Sequence, residues 1–126
     1  MLPRQSRIRR PQEFQLVKRT GRRAGGRTLS AHLVVVPGGE PAKVGFVVSR
    51  AVGPAVVRNR VKRRLRELMR VRLASLPGGC MLVVRVHPAA AAVRQADLAA
   101  DLDPVLRRLL RGRAEAPGMI HRGGNE

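Results

Sequence analysis

Apolar residues recur in the middle of the chain with the spacing of one helical face. In and just after "AVVRNRVKRRLRELMR", residues 55–70, they follow at steps of four, four, three and eight: Val57, Val61, Leu65, Leu68 and Leu76. Gly53-Pro54 suits a helix start, and "PGG" at 77–79 suits its end. The pattern predicts an amphipathic helix whose other faces are basic.

Three β-like apolar runs flank this helix. They are "LSAHLVVVP", "AKVGFVVSR" and "GCMLVVRVHP", at residues 29–37, 42–50 and 79–88. The turn-forming cluster "PGGEP" joins the first two runs, which predicts a hairpin. Because the third run follows the helix, we expect a strand–helix–strand crossover with the apolar stripe packed on the sheet.

Two further helices are predicted near the ends of the chain. "PQEFQLVKRTG", residues 11–21, starts with proline, carries Glu13 near the positive end of the helix dipole, and predicts a helix of two turns at most. "AAVRQADLAADLDPVLRRLLRG", residues 91–112, has a leucine stripe, and Asp103-Pro104 either kinks the helix or restarts it. The basic segment "GRRAGGR", residues 21–27, is expected to be a flexible loop.

Length and tail composition indicate a simple organisation. A chain of 126 residues has room for one compact domain, and we place it at residues 1–112. The polar, glycine-rich segment 113–126 is expected to be a disordered tail. No apolar run approaches the roughly 20 residues that cross a bilayer, and the first residues lack the apolar centre of a signal peptide, so a cytoplasmic protein is expected.

The net charge points to a polyanionic partner. The chain has 26 Lys and Arg against 8 Asp and Glu, a formal charge of +18. Self-repulsion of that size opposes the compact state unless a polyanion neutralises it. A nucleic acid is favoured over an anionic membrane, because membrane-surface helices need bulky apolar residues and this chain has no Trp, no Tyr and only two Phe.

The sequence shows no catalytic constellation. The three histidines have no metal-ligand spacing with one another or with Cys80, which is expected to be a small buried residue at a strand start. A nuclease usually needs clustered carboxylates or a histidine pair, and neither is visible. The acids concentrate on the last helix, where a solvated face balanced by arginines is expected. The acids are Asp97, Asp101 and Asp103, and the arginines are Arg107, Arg108 and Arg111.

The outer side of the central helix forms a continuous basic ridge. Its cations recur at intervals of four with further polar residues beside them: Arg58, Lys62, Arg66 and Arg70, flanked by Asn59, Arg60, Arg63 and Arg64. Only Glu67 opposes them, so the cations cannot neutralise one another. A helix that binds a polyanion is therefore favoured over a merely solvated face.

The central segment also resembles a known family. "VGFVVSRAVGPAVVRNRVKRRLRE", residues 44–67, closely resembles the signature of the bacterial ribonuclease P protein subunit, including Arg58-Asn59-Arg60 in its arginine-rich helix. "LPRQSRIRRPQEFQLVKRTGRR" is similar to the family's amino-terminal arm and first helix, "GRTLSAHLVVVP" to its first strand, and "DLAADLDPVLRRLL" to its final helix. The resemblance implies an α+β fold: a single α/β sandwich with about four strands, in the order α-β-β-β-α-β-α, with an uncommon left-handed βαβ crossover.

The resemblance further implies that the chemistry lies outside this chain. In the family an RNA subunit holds Mg²⁺ and cleaves precursor tRNA, while the protein binds that RNA and receives the 5′ leader in a cleft between the first helix and the sheet. The implied partners are these two RNAs, with no membrane and no small-molecule substrate. The implied contacts to the RNA subunit are Arg58, Asn59, Arg60, Lys62, Arg63, Arg66 and Arg70. The implied cleft residues are Phe14, Lys18, His32, Phe46, Arg9, Arg10 and Arg50.

Some of these positions leave alternatives open. Either phenylalanine could stack on an unpaired base or belong to the core, and for Phe46, flanked by valines, both interpretations stand. Lys18 and His32 stand where aromatic residues are common in the family, which suggests electrostatic holding of the leader. Pro54 replaces a frequent asparagine at the helix start. The competing functions are a general RNA-binding or ribosome-associated protein and a stand-alone nuclease.

Overall fold

Four strands and three helices make up the described fold. The computed structural model describes residues 2–36 and 41–115, with side chains through residue 111. In chain order the elements are α1 (Pro11–Thr20), β1 (Arg22–Gly25), β2 (Leu29–Val35), β3 (Lys43–Val47), α2 (Ala55–Arg72), β4 (Cys80–Val86) and α3 (Gln95–Glu115). The predicted order α-β-β-β-α-β-α is confirmed, and the strands form one mixed sheet in the spatial order β1-β2-β4-β3.

β4 lies inside the sheet because it is apolar on both faces. Every residue of β4 except Arg85 is buried, including Cys80, as predicted. β4 pairs antiparallel with β2 and parallel with β3. The predicted hairpin of β2 with β3 is therefore wrong, because the strand with two apolar faces takes the place between them. The crossover β3–α2–β4 is confirmed, whereas its left hand stays a prediction.

The basic segment that was predicted as a loop contains β1. Arg22–Gly25 pairs antiparallel with β2, and the Gly26 N–H donates to the Leu29 carbonyl over 2.8 Å in the turn between them. Only Ala24 of this strand is buried. The loop prediction was wrong because one apolar position in four gives no alternation to recognise. Arginines on a short edge strand discourage pairing with other chains.

The two faces of the sheet carry separate apolar clusters. On one face Leu82 and Val84 of β4 pack with α2 and α3 in the larger cluster, which contains the predicted α2 residues Val61, Leu65 and Leu68. Met69 also lies in this cluster, although the sequence pattern did not include it. The alternate residues of β4, Met81 and Val83, point to the other face, where they pack with α1. We call this second side the α1 face.

The terminal helices differ in length from their predictions. α1 has ten residues, more than the two turns expected. α3 runs through Pro104 without a break, so the proline does not split the helix. It continues to Glu115, past the predicted domain end at residue 112. The remainder of the predicted tail, residues 116–126, lies outside the described residues.

The segment before α1 covers the outer edge of β3. The Ile8 N–H donates to the Val44 carbonyl over 3.0 Å, and Arg7 forms a parallel bridge with Val44. The Arg7 guanidinium also donates to the Leu2 carbonyl, and Leu2 is buried in the larger cluster. This edge strand is thereby protected, and the arm fixes the position from which α1 starts.

Candidate RNA-binding interface

α2 is fixed to α3 by a paired arginine and aspartate. The Arg72 Nε donates to Asp103 Oδ1 over 2.6 Å, and Nη2 donates to Oδ2 over 3.1 Å. This two-bond geometry is the strongest arrangement that an arginine makes with a carboxylate. The hydrogen bond from Arg72 lowers the pKa of Asp103 and raises the pKa of the guanidinium. The end of α2 is therefore held in one orientation.

Two more arginines of α2 bind backbone carbonyls. The Arg58 Nε donates to Gly53, just before the helix, over 3.0 Å. The Arg64 Nη1 donates to Val93, in the segment before α3, also over 3.0 Å. Arg64 was predicted to flank the ridge, but its hydrogen bond gives it a structural role. Arg58, predicted as an RNA contact, is half-buried, and its guanidinium is partly occupied by the hydrogen bond to the Gly53 carbonyl.

The remaining polar residues of α2 lie on its outer side, where Asn59, Arg63 and Arg70 are exposed and Arg60, Lys62 and Arg66 are half-buried. At 100° per residue, Arg63 and Arg70 lie opposite the buried Leu65, and both are exposed. Arg70 makes an exposed ion pair with Glu67, whose contribution in water is small. A shallow depression on this side is lined by Asn59, Lys62, Arg63, Arg66 and Glu67. We define the α2 basic face as Asn59, Arg60, Lys62, Arg63, Arg66 and Arg70.

α1 packs on the α1 face of the sheet, where the family resemblance implies a leader cleft. Phe14 is half-buried and lies over Gly45, and Glu13 makes an ion pair with Lys43 at 3.3 Å. On the same face His32 of β2 lies level with Gly45 of β3, because both pair with Val83 of β4, and the His32 side chain is half-buried. This face therefore carries apolar residues under α1 and the polar His32 in the same row.

The predicted cleft residues do not all meet. Phe14, Lys18 and His32 lie together on the α1 face. Phe46 pairs with Val84 and packs against the larger cluster on the opposite face, so the structure places it in the core and not in this cleft. Phe14 lies over Gly45 of β3. The next residue of that strand, Phe46, points to the opposite side of the sheet, because side chains alternate along a strand. The other predicted residues, Arg9, Arg10 and Arg50, are exposed just before α1 and just after β3.

Two arginines that were missed in the sequence lie beside His32. Arg23 is its partner across β1 and β2, and Arg85 lies on the same face of β4, two residues beyond the partner Val83. Burial, then the charges of Arg23, Lys18 and Arg85, lower the pKa of His32 below 6.5. Arg85 is the one charged residue in the apolar strand "CMLVVRV", and that exception could have marked it as a candidate site residue. Arg23 could not be found in the same way, because it lies in β1, which was not predicted.

The aspartates of α3 serve structural partners. Asp101 accepts hydrogen bonds from the Thr28 backbone and hydroxyl, which lower its pKa. Asp97 accepts one from the Arg94 N–H at the helix start. The predicted solvated face is correct in part: the Asp97 and Asp103 side chains are 45% and 41% exposed, and the charge of Arg107 acts on Asp103. Arg108 instead donates to the Gly25 carbonyl. Among the described residues, no group of three or more His, Cys, Asp or Glu could hold a metal ion.

The α+β fold, the α2 basic face and the cations around His32 are the features expected of a small basic protein with a polyanionic partner. Within residues 2–36 and 41–115, no helix is long and apolar enough to cross a membrane. The family model described as ribonuclease P matches residues 2–110. The chain belongs to the ribonuclease P protein family. Ribonuclease P is an endoribonuclease, and members of this family are its protein component.

Curated relatives support the family across nearly the whole chain. The ribonuclease P protein component of Streptomyces avermitilis is 52% identical over 122 residues, covering 90% of this chain and 99% of that protein. The ribonuclease P protein component of Thermobifida fusca is 50% identical over 123 residues, covering 92% of this chain and 84% of that protein. The ribonuclease P protein component of a Nocardioides species is 52% identical over 120 residues, covering 94% of this chain and 100% of that protein.

Solved structures support the fold. The Staphylococcus aureus RNase P protein matches with a TM-score of 0.76 at 23% identity, covering 82% of this chain and 94% of that chain. The RNase P protein from Thermotoga maritima matches with a TM-score of 0.71 at 24% identity, covering 81% of this chain and 96% of that chain.

Proposed function

We propose that this chain assists a catalytic RNA in removing the 5′ leader from precursor tRNA in the cytoplasm. The α2 basic face binds the RNA subunit of ribonuclease P, and the cleft beside α1 binds the leader. The Mg²⁺ ions of the reaction are held by the RNA subunit and the substrate. The carrying observation is that α2 exposes cations on one side while Arg64 and Arg72 anchor the other side to α3 and the segment before it.

The α2 basic face is suited to an RNA backbone because its charges are held on a rigid element. Arginine and lysine side chains neutralise phosphates and release counterions, which supplies most of the affinity for a nucleic acid. Arginine also donates two parallel hydrogen bonds to one phosphate. The helix cannot rotate to turn these cations away, because Leu65 and Met69 are buried on its inner side.

The cleft is suited to a single strand because it combines an aromatic ring with cations. Phe14 offers a half-buried ring on the α1 side, and an unpaired base can stack on such a ring. Lys18 is exposed on the same helix and can contact phosphate. A leader is unpaired whereas mature tRNA lacks it, so this cleft distinguishes precursor from product.

Reconstitution tests the proposal. The full chain is added to a bacterial ribonuclease P RNA at low Mg²⁺, and cleavage of a precursor tRNA at the leader junction is followed. We expect a higher rate with the protein than with the RNA alone, because the protein supplies cations that the low Mg²⁺ does not. Protein alone should cleave nothing.

The same assay separates the competing functions. Binding to RNA without any increase in precursor cleavage would favour a general RNA-binding or ribosome-associated protein. Cleavage by the protein without the RNA subunit would establish a stand-alone nuclease and overturn the proposal.

A further inference from the structure

We propose that His32, Lys18, Arg23 and Arg85 form a phosphate site of the cleft, which binds a phosphodiester of an unpaired RNA strand and takes up a proton as it does so. This inference rests on the proposed leader binding and specifies its chemistry. It assigns Arg23 and Arg85, which the family resemblance did not indicate. It also gives His32 a phosphate-binding role where the family commonly has an aromatic residue.

Three elements bring the four side chains together. Arg23 and His32 are direct partners of β1 and β2. Val83 is the partner of His32 on β4, so Arg85 lies two residues farther along the same face of the sheet. Lys18 comes from α1, which packs over this face. Each of the three cationic residues is exposed, so each is accessible to an anion from solvent.

His32 is the group that an anion would affect most. Its ring is half-buried, and the Nδ1 atom is buried without a hydrogen-bond partner among the described residues. The charged groups that act on this ring are Arg23 from β1, Lys18 from α1 and Arg85 from β4, and all three oppose its protonation. No carboxylate is among them. The site therefore has an excess of positive charge that a phosphate can neutralise.

A phosphate fits this cluster better than a base does. Three cations act on a single imidazole from the strands on either side of it and from α1, whereas sequence-tolerant stacking needs an aromatic platform without a dense positive rim. Neutral imidazole donates one hydrogen bond, and protonated imidazole donates two. A negative charge beside the ring favours the protonated form, whichever nitrogen carries the proton in the unbound protein.

The direction of the pH effect follows from this linkage. The unbound ring has its pKa below 6.5, and bound phosphate raises that pKa. The complex therefore holds more protons than the separate molecules between the two pKa values, so affinity rises as pH falls through this window. Linkage of one proton limits the change to about tenfold in affinity per pH unit.

The test uses the full chain and a short oligouridylate, whose bases stack weakly, and does not depend on cleavage. Nuclear magnetic resonance follows the His32 ring from pH 5 to pH 8 with and without the oligonucleotide. We expect the pKa of His32 to rise on binding. Oligonucleotide affinity should increase as pH falls in the wild type, and His32→Gln should remove that part of the pH dependence.

Matched variants decide between phosphate binding and other roles. Arg23→Gln should lower the log–log salt slope of oligouridylate binding by about 0.7, the value for one phosphate on a single strand. Arg111→Gln removes another exposed charge, from α3, which packs on the other face, and should leave the slope unchanged.

Three outcomes would overturn the phosphate site. The first is an unchanged pKa of His32 with oligouridylate bound, and the second is an oligouridylate that does not bind at all. The third is a His32→Phe variant that binds at least as tightly as the wild type, since that result would indicate stacking. If reconstituted cleavage shows no enhancement while the His32 pKa still rises, the leader function fails and the site stands.

Discussion

The ring of Phe14 lies so close to Gly45 that a Cβ atom on residue 45 would be 2.6 Å from the phenylalanine Cε1 and 2.7 Å from Cζ. Real side chains do not approach to that distance, so a residue without Cβ is required where α1 crosses β3. Ile8 also contacts this position, at 3.0 Å from the same Cβ. The close packing of α1 on the sheet is therefore set by a glycine in the middle of a strand.

Gly45→Ala should destabilise the protein. The new methyl group forces Phe14 and α1 away from the sheet, which is an overpacking effect of typically about 1–3 kcal/mol. Denaturant unfolding measures the loss. Gly25→Ala is the matched control, because a Cβ there meets its nearest atoms at an ordinary 3.5 Å. Equal stabilities of the two variants would contradict the close approach of Phe14 to Gly45.

Phe14→Leu should separate stacking from core packing. Leucine keeps much of the apolar packing against the cluster of Ile8, Val17, Met81 and Val83 but cannot stack on a base. With the RNA subunit present, we expect a loss of about 1–3 kcal/mol in binding precursor tRNA and no loss for mature tRNA. Binding assays with both substrates provide the comparison. Equal losses for the two would show that Phe14 only supports the fold.

Neighbouring arginines of α2 should respond differently to alanine. Arg64→Ala removes a hydrogen bond from a charged donor to the Val93 carbonyl and should cost about 1–3 kcal/mol of stability. Arg63→Ala should change stability by less than about 0.5 kcal/mol, because the side chain is exposed, while RNA affinity falls. Thermal unfolding and RNA binding are measured on both variants. A reversal of the two effects would mean that the assigned faces of α2 are exchanged.

The Arg72–Asp103 ion pair should contribute stability that disappears in acid. Because the folded pKa of Asp103 is held below 3.8 by the hydrogen bond from Arg72, the folded state favours the ionised carboxylate. The contribution is present above about pH 4 and is lost as pH falls through the lowered folded pKa. The stability difference between wild type and Asp103→Asn, from urea unfolding, should shrink below that pH. A difference that stays constant down to pH 2 would exclude the linkage.

Periodicity was sufficient to predict α2, α3 and the three longer strands. Buried residues at helical spacing, such as Val61 and Leu65, report one face of a helix directly. β1 was missed because Ala24 is its only buried residue. The pairing of β2 with β4 was missed because strand order depends on which strands are apolar on both faces, and local turn signals do not report that property.

Strand register explains what the sequence could and could not predict about the site. Helical spacing predicted most cations of the α2 basic face, but it could not show that Arg58 and Arg64 bind backbone carbonyls. For Phe14 and Phe46 the sequence left both a cleft and a core position open, and the registers of β3 and β4 place Phe46 in the core on the opposite face. Arg23 meets His32 only through the pairing of β1 with β2, which was not predicted.

The salt dependence of binding to the ribonuclease P RNA tests most directly whether α2 is the RNA interface. The measurement compares wild type with Arg60→Gln/Arg63→Gln and with Arg107→Gln/Arg111→Gln, which removes two charges from α3. We predict that the α2 variant binds more weakly and has a log–log salt slope lower by about 0.7–0.9 for each phosphate that the helix no longer neutralises, with the α3 variant close to wild type. Equal slopes for wild type and the α2 variant would contradict the account.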